Sequence, residues 1–235
     1  MATFALIHGG GDVGGSWHLV ERELRALGHD TVAPDLPADD PGATLDDYAD
    51  AVVSALGDRT RPVIVGHSYG GFTAPLVAAR TRAQALVMLA AMVPAPGETA
   101  ADWWTNTGYG ESVRSQAERD GGLTGAEDPF IGFFHDVPRP LAEEALRRTA
   151  GRGESEAAYS QAWPLAEWPA VPTTFILCTE DRFFPSTFLR RVVADRLGIA
   201  PDEIAGGHCV ALSRPRELAL MLHHHAERAA QSVAQ

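Results

Sequence analysis

One stretch constrains this chain more than any other: Pro62-Val63-Ile64-Val65-Gly66-His67-Ser68-Tyr69-Gly70-Gly71. An apolar, β-branched run leads into a glycine-flanked serine. An apolar helical stretch, Phe72-Thr73-Ala74-Pro75-Leu76-Val77-Ala78-Ala79, follows at once. Gly66-His67-Ser68-Tyr69-Gly70 fits G-x-S-x-G, which puts a serine on a sharp strand-to-helix turn. Side chains at Gly66 and Gly70 would collide with the neighbouring strand and helix, and strain is expected at the serine backbone. The hydroxyl is then pushed out at the carboxyl end of the strand, above the positive N-terminus of the next helix. A glycine-rich turn with an incidental serine is the competing reading, and the flanking strand and helix patterns disfavour it.

The rest of the chain keeps the same rhythm. Thr3-Phe4-Ala5-Leu6-Ile7 reads as a strand ending in His8-Gly9-Gly10-Gly11. A helix follows from near Ser16 and stops at Gly28. Asp30-Thr31-Val32-Ala33 reads as a strand, Thr44 as the cap of a helix running to Gly57, and Ala85-Leu86-Val87-Met88-Leu89 as a buried parallel strand. Strands resume at Thr173-Thr174-Phe175-Ile176-Leu177-Cys178 and near Glu203-Ile204-Ala205. Between them lies a helix from about Ser186 to Leu197, and the last helix starts near Arg214-Pro215. This alternation predicts an α/β fold with a mostly parallel sheet of about six strands flanked by helices. Residues 94–171 break the rhythm, being rich in Gly, Pro, Trp and charge. They are expected to form an inserted helical cap on a core made of residues 1–93 and 172–235.

Composition excludes several functions. The net charge of −12 carries no basic stripe, so nucleic acid is not an expected partner. No apolar run is long enough to span a bilayer, and the N-terminus reads as a strand rather than a signal peptide, so no membrane partner is expected. Two well-separated cysteines, Cys178 and Cys209, give no disulfide framework and point to a reducing cytoplasm. The basic residues are all arginine, which removes lysine-dependent Schiff-base chemistry. The oligomeric state is left open, a homodimer included.

A serine is a weak nucleophile without a base, and the base needs an orienting acid. After Ser68 the chain offers His135, His208 and His223-His224-His225. His135 falls in the inserted segment. The three consecutive histidines diverge by about 100° each on a helix, so no single metal gathers them and they read as surface residues. His208 follows a short strand on a Gly206-Gly207 turn, where a base can reach Ser68. Thr179-Glu180-Asp181-Arg182 follows a strand and supplies the acid. Asp181 is the favoured candidate, with Glu180 as the alternative. Backbone N–H groups of Tyr69 and Gly10 are the expected oxyanion donors. A dinucleotide-binding loop is the rival reading of Gly9 to Gly14, with Asp35 as its ribose-binding acid, but the register fits loosely and the Ser-Asp-His set outranks it. No metal and no cofactor is expected.

His8-Gly9-Gly10, Pro34-Asp35-Leu36-Pro37, Gly66-His67-Ser68-Tyr69-Gly70-Gly71, Asp181 with Pro185, and Gly207-His208 together resemble the α/β-hydrolase superfamily over nearly the whole chain. The segment from His8 to Trp17 is similar to the branch holding plant methylesterases and hydroxynitrile lyases. The resemblance implies an all-parallel sheet without leading antiparallel strands. It also implies a carboxylesterase-like serine hydrolase acting on a small apolar ester through Ser68, His208 and Asp181. The lyases of that branch carry lysine after the catalytic histidine and threonine after the first histidine. This chain has Cys209 and Gly9 there, so cyanohydrin cleavage is not expected. Trp103, Trp104, Phe134 and Trp163, with Phe130, Phe133 and Trp168, are expected to wall the pocket. A lyase, lactonase or C–C hydrolase on the same triad remains the alternative, as does a non-catalytic ligand receptor.

Overall fold

The computed structural model describes residues 1–232. Six strands form one parallel sheet: β1 Thr3–Ile7, β2 Asp30–Val32, β3 Val63–His67, β4 Ala85–Leu89, β5 Thr173–Cys178 and β6 Asp202–Ile204, in the order β2-β1-β3-β4-β5-β6. All five pairings are parallel, as an apolar-on-both-faces pattern requires. β4 is buried at every position. Helices α1 (His18–Ala26), α2 (Leu45–Leu56), α3 (Gly70–Thr81), α9 (Ser186–Leu197), α10 (Val210–Ser213) and α11 (Pro215–Ser232) connect and flank the strands. The segment from Gly14 to Trp17 is a 3-10 turn that precedes α1, slightly later than the sequence pattern suggests.

Local sequence explains these boundaries. Thr44 and Asp47 form a reciprocal capping box at the start of α2: the Asp47 N–H donates to Thr44 Oγ1, and the Thr44 N–H donates to Asp47 Oδ2. Gly57 ends that helix with φ of 55°. A Cβ on Gly71 would stand 2.0 Å from the Met92 carbonyl oxygen, so only glycine lets α3 begin so close to the chain leaving β4.

Between β4 and β5 lie α4 (Ala100–Asn106), α5 (Tyr109–Asp120), α6 (Pro129–Gly132), α7 (Arg139–Thr149) and α8 (Glu156–Ser160), with no strand among them. Long-range contacts tie this segment to the sheet layer. Glu98 forms a two-toothed ion pair with Arg196 of α9, and its carboxyl is nearly inaccessible. Burial opposes ionisation of Glu98, but hydrogen bonds from Arg196 and Asn106 outweigh it and hold its pKa below the usual value. Ser155 Oγ caps α8 and donates to carbonyls of the loop before α2, and the Trp163 indole N–H donates to the Phe72 carbonyl at 3.1 Å.

The histidine run on α11 departs from its expected surface role. His225 is buried, and His223 meets His29 at 2.8 Å across the contact between α1 and α11. The Ala2 N–H donates to His29 Nδ1, so His29 donates through Nε2 to His223 Nδ1. His225 turns instead to Asp202 at the start of β6, and His224 stays exposed as expected. No metal-holding group of three or more His, Cys, Asp or Glu residues occurs among the described residues.

Candidate active site

Four loops converge at the carboxyl edge of the sheet. The β1 loop brings His8 to Gly11, the β3 turn brings Ser68, the β5 loop brings Asp181 and the β6 loop brings His208. Ser68 has φ of 52°, a left-handed conformation that costs a non-glycine residue energy and persists only where its surroundings enforce it. Gly66 and Gly70 are part of that enforcement. Cβ atoms there would lie 2.6 Å from the Ala74 Cβ and 2.6 Å from the His8 carbonyl oxygen respectively.

The structure brings Ser68, His208 and Asp181 together, and all three are buried. Ser68 Oγ lies 3.0 Å from His208 Nε2, and His208 Nδ1 lies 2.8 Å from Asp181 Oδ2. A carboxylate oxygen accepts, so Nδ1 carries the proton and Nε2 presents a lone pair to the Ser68 hydroxyl. The other Asp181 oxygen accepts from the Phe183 and Phe184 amides at 2.8 and 2.9 Å, which fixes the carboxylate orientation. Glu180, the alternative acid, directs only backbone groups into this network: its N–H donates to the Gly206 carbonyl and its carbonyl accepts from His135 Nε2. His135 therefore braces the loop of the acid. Its neighbour Asp136 accepts from the Gly207 N–H at 2.9 Å and braces the loop that carries His208.

His67, the variable residue before Ser68, is a support that the motif alone does not announce. Its Nε2–H donates to the His208 carbonyl at 3.0 Å, and its ring lies between Trp17 and His208. Burial, reinforced by His208, pushes its pKa down to about 3, so it remains neutral. His8 plays the same part on the other side. The Leu36 N–H donates to His8 Nε2, so His8 Nδ1–H donates to the Gly9 carbonyl. That pins the glycine loop to the chain after β2. Asp35 accepts from the Gly14 amide at 2.8 Å, a structural use that removes the rival ribose-binding reading.

Gly9 lies directly against the serine, for a Cβ there would sit 3.4 Å from Ser68 Oγ. Among the described residues, the Gly10 and Tyr69 amides donate to no protein acceptor.

A cavity of about 280 Å³ opens over Ser68. Trp104, Phe134 and Phe133 line it as expected from sequence, together with Trp17, Tyr159 and Phe183. Trp103 and Trp163 do not. Trp103 is fully buried, donates its indole N–H to the Val93 carbonyl and packs edge-on against Phe184 and Phe188. Trp163 is equally buried beneath the segment and packs on Trp168. Phe130 also lies outside the cavity, under the Arg139 guanidinium. These rings dock the inserted segment instead of contacting a ligand. Cys209 lines the cavity, and burial pushes its thiol pKa up, so it packs as a neutral side chain.

Glu154 was not evident from sequence. It lies in the polar run Gly151-Arg152-Gly153-Glu154-Ser155, which reads as an exposed loop. In the structure it lines the cavity, and Oε1 accepts from the Gly11 N–H at 2.7 Å. Burial pushes its carboxyl up to about 7, against the pull of the Gly11 amide and the Tyr48 hydroxyl.

A family model described as "Alpha/beta hydrolase family" matches residues 4–219. Methylesterase 7 of Arabidopsis thaliana is 26% identical, over 93% of this chain and 94% of its own length. A crystal structure of polyneuridine aldehyde esterase superposes with a TM-score of 0.77 at 21% identity, covering 96% of this chain and 99% of that one. A pyrethroid hydrolase from Sphingobium faniae JZ-2 gives 0.75 at 21% identity, covering 98% and 99%.

Proposed function

Because the chain belongs to the alpha/beta hydrolase family, we propose that it is a serine hydrolase that cleaves small, largely apolar carboxylic esters. The observation that carries this reading is the hydrogen-bonded line from Ser68 Oγ through His208 to Asp181, anchored on a serine held in a left-handed backbone. Such strain is kept where function requires it.

Ser68 Oγ attacks the acyl carbonyl while His208 Nε2 takes its proton. Asp181 holds the tautomer and stabilises the imidazolium. The Gly10 and Tyr69 amides receive the oxyanion, each such donor contributing about 3 kcal/mol to the transition state. His208 returns the proton to the leaving alcohol, the C–O bond breaks, and an acyl-Ser68 ester remains. A water then repeats the sequence in the second half and releases the acid. The inserted segment serves as a cap whose rings make the ester's surroundings apolar. Cyanohydrin cleavage finds no support, since Cys209 follows the base where a lysine would be needed. Fluorophosphonate labelling followed by peptide mapping tests the reading. Modification at Ser68, with hydrolysis of p-nitrophenyl butyrate, is the expected result. A folded protein that takes no label there would overturn it.

A further inference from the structure

The cavity carries charge of one sign. Its charged lining residues are Glu154 and Asp12, and neither arginine side chains nor lysine contribute. Asp12 is tied to its own turn, where one oxygen, Oδ1, takes both the Val13 amide and the Ser16 hydroxyl. Glu154 is not fully used: Oε1 takes the Gly11 amide, while Oε2 has only a long 3.5 Å contact from the Tyr48 hydroxyl. The nearest cation in sequence, Arg152, turns away to Asp39 and Asp35.

A second feature points to the same place. Tyr69 is only 6% exposed and lines the cavity, yet its hydroxyl has no hydrogen-bond partner. A buried hydroxyl without a partner is costly and asks for a ligand group or a water. Burial, and next the nearby Glu154 carboxyl, raise its pKa, so it stays a neutral phenol. Tyr159 faces Tyr69 at 6.2 Å between ring centroids. Its hydroxyl accepts from the Trp104 indole N–H, leaving a further lone pair. One end of a largely apolar cavity thus offers the Glu154 carboxyl, ionised above about pH 7, with two phenol oxygens and the faces of aromatic rings.

We propose that this end is a subsite for a protonated amine, so that the ester this protein cleaves carries an alkylammonium group. Carboxylate, phenol oxygens and ring faces all attract an N–H-bearing cation, whereas an anionic substrate would face two carboxylates. The glycine loop sets the spacing. Gly9 touches Ser68 and the next residue, Gly10, touches Glu154: a Cβ on Gly10 would lie 2.9 Å from Oε1. The ester carbonyl and the nitrogen are therefore separated by a short spacer. The arrangement also bears on the reaction, an argument that rests on the hydrolase reading. A carboxylate against the turn that receives the oxyanion opposes that negative charge, and a substrate cation offsets it.

The test compares neohexylammonium with neohexyl alcohol, its neutral isostere, by binding calorimetry on the wild-type protein at about pH 8, where the amine is protonated. The ammonium is expected to bind about tenfold more tightly or better. Glu154→Gln, nearly isosteric, should reduce that preference to within about twofold, and Glu154→Asp should keep part of it. Equal affinity for both probes in the wild type, or a preference that survives in Glu154→Gln, overturns the subsite. Neither measurement needs turnover. Label at Ser68 without ammonium preference leaves the hydrolase reading intact and removes the subsite. Ammonium preference without label does the reverse.

Discussion

The sheet edge and the inserted segment build the same cavity by different means. At the sheet edge, most of the site is held by its own neighbours in sequence: Ser68 by a glycine-flanked turn, Asp181 by the Phe183 and Phe184 amides, Gly9 by His8, with the His208 loop the exception, held by His67 and Asp136. In the inserted segment, residues are held by partners roughly a hundred positions or more away. Glu154 depends on Gly11, Ser155 on the loop before α2, and Trp163 on Phe72. The first kind of positioning is local and rigid. The second requires the whole domain to be folded, and its stability and its shape are the same set of contacts.

Ser68→Ala tests the local side most severely. We expect kcat on activated esters to drop by about 10⁴-fold or more, with thermal stability little changed. Stopped turnover together with an unaltered melting curve is the signature of a site whose chemistry is separable from its scaffold. Trp163→Ala tests the other side. It should cost about 3–5 kcal/mol of stability in denaturant titration, because it opens a hole under the segment. Trp104→Ala, by contrast, should mainly raise KM. If the two tryptophans behaved alike, the division between docking and lining rings would fail.

Glu154 gives a smaller effect with a definite sign. Its folded pKa of about 7 lies above the ordinary value of 4.5, so the folded state holds the extra proton. Stability is therefore greatest below the lower value and falls as pH rises through the upper one, by at most about 3 kcal/mol. Glu154→Gln should flatten urea midpoints over that window. A wild-type minus Glu154→Gln midpoint difference that rose from acid to neutral pH would contradict the placement of this carboxyl. Thr44→Ala should be the mildest, about 1 kcal/mol through loss of the α2 cap, with KM and kcat retained.

The same contrast explains what could be read in advance. The six parallel strands follow from short apolar runs bounded by glycine and proline, and Ser68, Asp181 and His208 follow from their positions after those runs. The aromatic residues do not yield to this. Trp103 and Trp104 are consecutive on one helix and diverge by about 100°, so one enters the core and the other the cavity. Nothing in a short polar segment says which way its helix turns. Likewise Glu154 sits among glycines and polar residues in a pattern typical of solvent-facing loops. Only the fold shows that Gly11 is waiting for it. His223 and His225 mislead for a related reason, since a polar run on a terminal helix reads as solvent-facing until its partner helix is known.

The braces from His135 and Asp136 have a further consequence for traffic. They join the inserted segment to the backbone of the loop that carries Asp181, at Glu180, and of the loop that carries His208, at Gly207. α7 meanwhile packs on α10, just beyond His208. A hinged swing of the segment would drag Asp181 and His208 away from Ser68 with it. Passage of a ligand to Ser68 then rests more on movement of lining side chains such as Phe133, Phe134 and Trp104 than on opening of the segment. The size of what can reach Ser68 is then a matter of those side chains, while Ser68, His208 and Asp181 stay assembled behind them.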